Sequence, residues 1–342
     1  MQLDERKAQL LRAVVHEFIQ TAEPVGSKTL TERYSLGVSP ATIRNELATL
    51  EEQGYLSHPH TSAGRIPTDR GYRFYVDALS GVGKLARAQE ETIARYFEGA
   101  ADLEETLQRT SVLLSGLTDY TALVAPPSLD RSRLRHVELV GLGRNVLLLV
   151  LIVDTGRVEK RLVETAAEVD PAEVEELRRA LNERLVGERL SRAELVLQAM
   201  GEEIDPQRHD LFATVSAAIG QVVGDQTLER VWVGGQAHIA GPRGFDGLET
   251  VHRVYEALEQ QVLLLRLLQA ALGKGRVSVV IGAENQVEGM EACSLVASAY
   301  LAGDASGSIG VLGPTRMDYL RAMAAVQAVA RYLGDVFDDA AR

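Results

Sequence analysis

One cysteine, Cys293, is all the thiol chemistry this chain of 342 residues carries, which excludes an internal disulfide framework and a zinc site built from cysteines. Long apolar runs are missing too. The longest, Val146 to Val153, spans eight residues, far short of the ~20 that a membrane-crossing helix needs. A second apolar stretch, Val262-Leu263-Leu264-Leu265, is cut by Arg266. The opening Met1-Gln2-Leu3-Asp4-Glu5 has no basic segment leading into an apolar one, so no secretory signal is expected. These absences point to a cytoplasmic protein without a membrane partner.

Basic charge is scarce as well. Lys+Arg 36 against Asp+Glu 48 leaves a formal net charge of −12, and long-range electrostatics then oppose any polyanionic partner. The deficit is uneven: the first 80 residues hold 9 Lys/Arg and 10 Asp/Glu, so nearly all the excess acid lies beyond them. At 46% hydrophobic and 25% charged, the chain has globular composition and the length for two or three domains.

What is present begins with helical periodicity. Leu10, Leu11, Val14, Val15, Phe18 and Ile19 recur at helix spacing from Asp4 to Gln20, and Pro24 and Gly26 end that helix. Ser27 is a candidate cap for a short helix over Lys28 to Tyr34. Ser39 then caps a third helix to about Gln53, with Pro40 at the position where its missing N–H costs nothing. Tyr55 to His60 and Arg65 to Pro67 flank a polar turn and predict a short hairpin. A further helix from Thr68 to about Leu79, buried through Tyr72, Tyr75, Val76 and Leu79, closes the segment. Ser80-Gly81-Val82-Gly83 follows as a linker.

Beyond it, two helices are expected between Leu85 and Leu117, broken near Gly99. A three-stranded meander follows over Leu134 to Leu142, Asn145 to Val153 and Arg157 to Val163. Helices then cover Pro171 to Leu185, Arg192 to Met200 and Gln207 to Val223. Later strands fall at Arg230 to Gly234, Val277 to Ile281, Ser294 to Leu301 and Ser308 to Leu312. Long helices are read at Leu248 to Leu272 and Met317 to Val336.

Three helices and a proline-bounded hairpin in this order make a winged helix-turn-helix. On the third helix Ile43, Leu47 and Leu50 must face the core, which turns Ala41, Asn45, Ala48 and Thr49 outward, flanked by Thr42 and Arg44. Small side chains let a helix settle in a major groove about 12 Å wide, where arginine pairs with guanine and asparagine with adenine. Ser39 sits at the same helix start. The hairpin adds His58, His60, Thr61, Ser62 and Arg65, all able to contact phosphate or a minor groove. Glu46, Glu51 and Glu52 count against a broad basic face. The pattern alone leaves DNA binding and a plain packing module both open.

The wording of the sequence adds a resemblance. Val38-Ser39-Pro40-Ala41-Thr42-Ile43-Arg44-Asn45-Glu46-Leu47, Leu50-Glu51-Glu52-Gln53-Gly54-Tyr55-Leu56, Pro59-His60-Thr61-Ser62-Ala63-Gly64-Arg65-Ile66-Pro67-Thr68 and Gly71-Tyr72-Arg73-Phe74-Tyr75-Val76-Asp77 closely resemble the HrcA family of heat-inducible repressors. Glu23-Pro24-Val25-Gly26-Ser27 and, near the other end, Gly307-Ser308-Ile309-Gly310-Val311-Leu312-Gly313-Pro314-Thr315-Arg316-Met317-Asp318-Tyr319 are similar to that family as well. The resemblance implies an α+β multidomain protein: a winged helix-turn-helix over 1–80, a discontinuous GAF-like α/β domain over 84–130 and 226–342, and an inserted dimerisation domain over 131–225. It implies a homodimer that binds an inverted-repeat operator in double-stranded DNA, represses chaperone operons, and depends on a GroEL-type chaperonin for its active fold. No cofactor, metal or catalytic residue is expected.

Other motifs carry less. Gly26-Ser27-Lys28-Thr29 lacks the glycines of a phosphate-binding loop. His58 and His60 have no neighbouring carboxylate or cysteine to complete a metal site. His16, His136, His209, His238 and His252 are scattered, and Cys293 reads as a small buried apolar residue. The acids of Pro171 to Arg184 alternate with arginine as a solvated face does. Ala240-Gly241-Pro242-Arg243-Gly244 reads as a plain loop, or as the lining of a ligand pocket in a small-molecule-gated metabolic repressor. An enzyme with a DNA-targeting head would need a polar cluster that the sequence does not display.

Overall fold

The computed structural model describes residues 3–34, 37–59, 64–79, 85–97, 102–129, 131–204, 209–224, 230–272 and 277–340. It opens with α1 (Glu5–Thr21), capped by Asp4, whose carboxylate accepts from Lys7 N at 2.9 Å. Leu10, Leu11, Val14 and Val15 line its buried face. Helix α2 (Ser27–Arg33) starts one residue earlier than its sequence suggests: Gly26 occupies the cap position and Ser27 is the first helical residue, making no capping bond. Helix α3 (Pro40–Glu52) has the cap expected, with Ser39 Oγ accepting from Thr42 N at 3.2 Å. Ile43, Leu47 and Leu50 are buried, and each such side chain is worth roughly 1.5–3 kcal/mol. The hairpin is only β1 (Leu56–Ser57) against β2 (Ile66–Pro67), in the register Leu56↔Pro67 and Ser57↔Ile66. Helix α4 (Asp69–Asp77) follows, capped by Thr68. It buries Tyr72 and Val76; Tyr75 and Leu79, expected inside, are half-buried. The linker at 80–83 lies outside the described residues, as does the break near Gly99.

Helices α5 (Arg87–Phe97) and α6 (Leu103–Thr118) lead into β3 (Thr121–Ala125). Sequence periodicity missed this strand because all five residues are buried, which erases the alternation that marks a half-buried strand. The chain then builds a separate layer: the antiparallel meander β4 (Leu134–Gly141), β5 (Val146–Val153) and β6 (Val158–Glu164), backed by α7 (Pro171–Leu185), α8 (Ala193–Glu203) and α9 (His209–Gly224). Leu147, Leu149, Leu151 and Val153 of β5 join the helices in a core of their own.

After α9 come β7 (Trp232–Gly234), α10 (Leu248–Glu259), α11 (Gln261–Ala271), β8 (Ser278–Ile281), β9 (Cys293–Ala302), β10 (Ala305–Pro314) and α12 (Tyr319–Ala340). The single helix expected over 248–272 is two, because Gln260 adopts an extended backbone. Beyond it, the Gln261 side chain accepts from Val231 N at 2.7 Å, a tertiary bond with no local signature. The five strands pair antiparallel in the order β7-β3-β10-β9-β8. Alternate residues of β3 serve opposite cores: Ala122 and Val124 face α6 and α12, whereas Leu123 and Ala125 face α10 and α11.

The N-terminal helices and this sheet share one core. Leu11, Ile43 and Tyr72 belong to the same buried cluster as Ile309, Tyr319 and Leu333. The join is also polar. Arg73 on α4 donates from Nε to Glu284 Oε1 and from Nη2 to Val279 O, each at 2.7 Å, and Asp69 accepts from Ala283 N at 2.9 Å.

Candidate nucleic-acid interface

Burying Ile43, Leu47 and Leu50 fixes the rotation of α3 and so decides which side chains face solvent. Ala41, Arg44 and Asn45 are exposed, with Thr42, Ala48 and Thr49 half-exposed beside them. Among the described residues, the Arg44 guanidinium and the Asn45 carboxamide have no intramolecular hydrogen bond or ion pair. An exposed arginine and asparagine that fold stability does not use are available for base edges. Exposed Ser39 is occupied by capping, and its hydroxyl lies 3.0 Å from Thr42 Oγ1. Thr49 donates back to the Asn45 carbonyl at 3.1 Å. The small side chains of Ala41, Ala48 and Thr49 keep the stripe low.

The acids on α3 are less of an obstacle than their number suggests. Glu46 is buried and paired with Arg6 of α1, so it adds little field at the exposed stripe. Glu51 lies 2.7 Å from Arg65 Nε and 3.5 Å from His58 Nδ1, at the base of the hairpin. Only Glu52 stands exposed.

The hairpin residues divide. His58 and Arg65 flank the two short strands, and Arg65 Nη1 lies 2.7 Å from His58 Nε2. His60, Thr61 and Ser62 lie outside the described residues. The returning strand is anchored from behind: Arg65 and Val25 exchange two backbone hydrogen bonds of 2.9 Å. A Cβ on Gly64 would sit 2.5 Å from Val25 C and O, so only glycine permits this approach. Sequence inspection missed these anchors. The signal was present in Glu23-Pro24-Val25 and Ala63-Gly64-Arg65, but nothing local says that the two runs touch.

The remaining motifs are accounted for locally. No group of three or more His, Cys, Asp or Glu able to hold a metal occurs among the described residues. Cys293 is buried with its Sγ 3.5 Å from Met290 Sδ, and burial pushes its thiol up to about 12. Ala240 ends a short 3-10 helix (Gln236–Ala240), and Pro242 and Arg243 line a cavity of about 120 Å³ with Tyr120, Arg316 and the end of α1. No helix among the described residues is long and apolar enough to cross a membrane.

A helix presenting arginine and asparagine beside a short anchored hairpin, packed on a larger body, has the form of a transcription regulator. Comparison with known proteins sharpens this. A family described as "HrcA protein C terminal domain" matches residues 104–323. A "Heat-inducible transcription repressor HrcA" of Streptomyces avermitilis is 46% identical over 335 residues, covering 98% of both chains. The protein of the same name from Parafrankia sp. is also 46% identical, with the same coverage. A crystal structure of a hypothetical protein, solved at 2.2 Å, superposes with a TM-score of 0.65 at 25% identity, over 99% of this chain and 100% of that one. The chain belongs to the HrcA family of heat-inducible transcription repressors.

Proposed function

We propose that this protein represses chaperone-operon transcription as a homodimer that grips an inverted repeat in double-stranded DNA, working by binding and not by catalysis, in the cytoplasm. Residues 1–80 are the winged helix-turn-helix. Arg44 and Asn45 read bases, with Ala41, Thr42 and Thr49 against the groove and Ser39 at the backbone. The hairpin tip His60, Thr61 and Ser62 meets the flanking phosphates or minor groove, with His58 at its base. The observation that carries this is the exposed, unpartnered Arg44–Asn45 pair on α3.

Residues 84–130 and 226–342 form the GAF-like body, and 131–225 the inserted dimerisation domain. The outer face of the meander supports the dimer. Val140, Leu148 and Leu162 stand in one cross-strand row, with Leu162 64% exposed. Leu142 and Val158, exposed in the single chain, extend this apolar patch, and monomeric surfaces seldom leave such faces uncovered. Two copies joined there would present two α3 helices to a palindrome, with centres about 34 Å apart or a multiple of that. A GroEL-type chaperonin, by maintaining the active fold, would tie repression to the supply of unfolded clients.

The test is transcription in vitro from a chaperone-operon promoter carrying the inverted repeat. The protein is expected to suppress the transcript and to spare a template whose repeat is scrambled. Equal transcription from both templates, with and without added chaperonin, rejects the proposal.

A further inference from the structure

We infer that Glu51 and Arg65 are positioning residues that aim the wing, and that Arg65 does not spend its charge on a DNA phosphate. The inference deepens the proposed DNA-binding role and rests on it.

Among its described residues the hairpin has just two strand pairs, too few to hold a direction in water unaided. The Arg65–Val25 backbone bonds anchor its returning strand, and the rest of its orientation must come from side chains. Glu51, in the last turn of α3, supplies it: Oε2 lies 2.7 Å from Arg65 Nε, an ion pair and not an aligned hydrogen bond, and Oε1 lies 3.5 Å from His58 Nδ1. The third side of the triangle is the 2.7 Å contact between Arg65 Nη1 and His58 Nε2. His58 and Arg65 stand directly beyond the two strands, so the triangle ties both legs of the hairpin to the helix that reads bases. The Arg65 side chain is 17% exposed, and its backbone is bonded twice to Val25. A guanidinium held this deeply, beside a carboxylate that cancels its charge, is poorly placed to release counterions from DNA.

This assigns Glu51 an effect opposite in sign to simple electrostatics. Removing an acid near DNA ordinarily tightens binding. Here, neutralising Glu51 lets the wing wander, and operator binding weakens. A lysine at 65 keeps the charge but not the planar fork that reaches two partners from one side chain.

The experiment is fluorescence anisotropy of the whole chain on an inverted-repeat duplex and a scrambled duplex over a salt series, for wild type, Glu51→Gln, Arg65→Gln, Arg65→Lys and the Glu51→Gln/Arg65→Gln double variant. Circular dichroism melts verify that each is folded. The wild-type preference for the repeat tests the DNA-binding role itself, and its absence would overturn both that role and this inference. Given that preference, all three single variants are expected to lose about tenfold on the repeat. They should keep wild-type affinity for the scrambled duplex and the wild-type salt slope, and the double variant should be no worse than either parent. A merely structural defect would lower both duplexes together. The inference is overturned if Arg65→Lys binds as wild type, if Arg65→Gln lowers the salt slope by about one unit, or if Glu51→Gln binds the repeat as tightly as wild type or more so. Should Arg65→Gln fail to fold, Glu51→Gln and Arg65→Lys decide the matter alone.

Discussion

Tyr72 and Tyr319, from opposite ends of the chain, meet with ring centroids 6.0 Å apart and planes inclined at 54°. Tyr319 is fully buried, its hydroxyl 2.8 Å from Ser294 Oγ, and Tyr72 is buried above it. Burial raises both phenols far above their ordinary range, so neither ionises in the folded protein near neutrality. Tyr72 sits in one of the N-terminal runs that resemble the HrcA family, and Tyr319 in the C-terminal run. The two runs therefore meet in one contact, between α4 and α12, that seats the N-terminal segment on the body.

That contact is expected to couple the N-terminal segment and the body into one cooperative unit. Wild-type protein is expected to melt them together, whereas Tyr72→Ala, at a cost of ~3–5 kcal/mol, should split off an earlier transition. Differential scanning calorimetry checks this. An unsplit melt close to the wild-type temperature would show that the tyrosine pair does not couple them.

Arg44→Ala should weaken operator binding by ~1–3 kcal/mol and relax preference at one base position in each half-site. Because Arg44 has no partner within the described fold, the variant should melt within ~0.5 kcal/mol of wild type. Competition by operators with single base-pair changes is the measurement. A loss spread equally over all of them would assign Arg44 to the phosphates instead.

Leu162→Glu places a charge at the exposed β6 end of the apolar row on the meander. In a monomer this position is already wet, so folding should be little affected. Sedimentation equilibrium is expected to change from dimer to monomer. Persistence of the dimer would move the interface away from this sheet face.

Gly64→Ala forces a methyl against the Val25 carbonyl, and the returning strand must shift. A loss of at least ~1 kcal/mol is expected in urea denaturation. Unchanged stability would mean that the hairpin is not held there.

Cys293 provides a pH test. Its folded thiol is pushed from 9.0 to about 12 by burial, so the neutral form is favoured in the fold. The linked stability is intact below pH 9 and is lost as pH climbs toward 12, because the unfolded chain releases the proton first. At pH 8, a thiol reagent should label Cys293 only as fast as the protein opens. Rapid labelling of the native protein would contradict the burial.

The sequence displayed what local chemistry determines. Ser39, Pro40 and Gly54 mark the ends of α3, and Ile43, Leu47 and Leu50 fix its outward stripe, so Arg44 and Asn45 could be named as exposed before any coordinates. Strand β5 was equally plain, being an apolar run between turns. What stayed hidden depends on distant partners. β3 has no alternation because both faces are covered, and the break at Gln260 accompanies a hydrogen bond that Val231 N donates to the Gln261 side chain. The charge of Glu46 and Glu51 looked like a cost to DNA binding, yet Arg6 and Arg65 absorb it from elsewhere in the fold.

The most direct test of the central claim is the affinity of the purified protein for a chaperone-operon inverted repeat against a scrambled duplex, read by fluorescence anisotropy across a salt series. The proposed role predicts a preference of about a thousandfold or more for the repeat, with a negative salt slope on both duplexes. Equal, weak binding to both, unchanged when chaperonin is added, would contradict it.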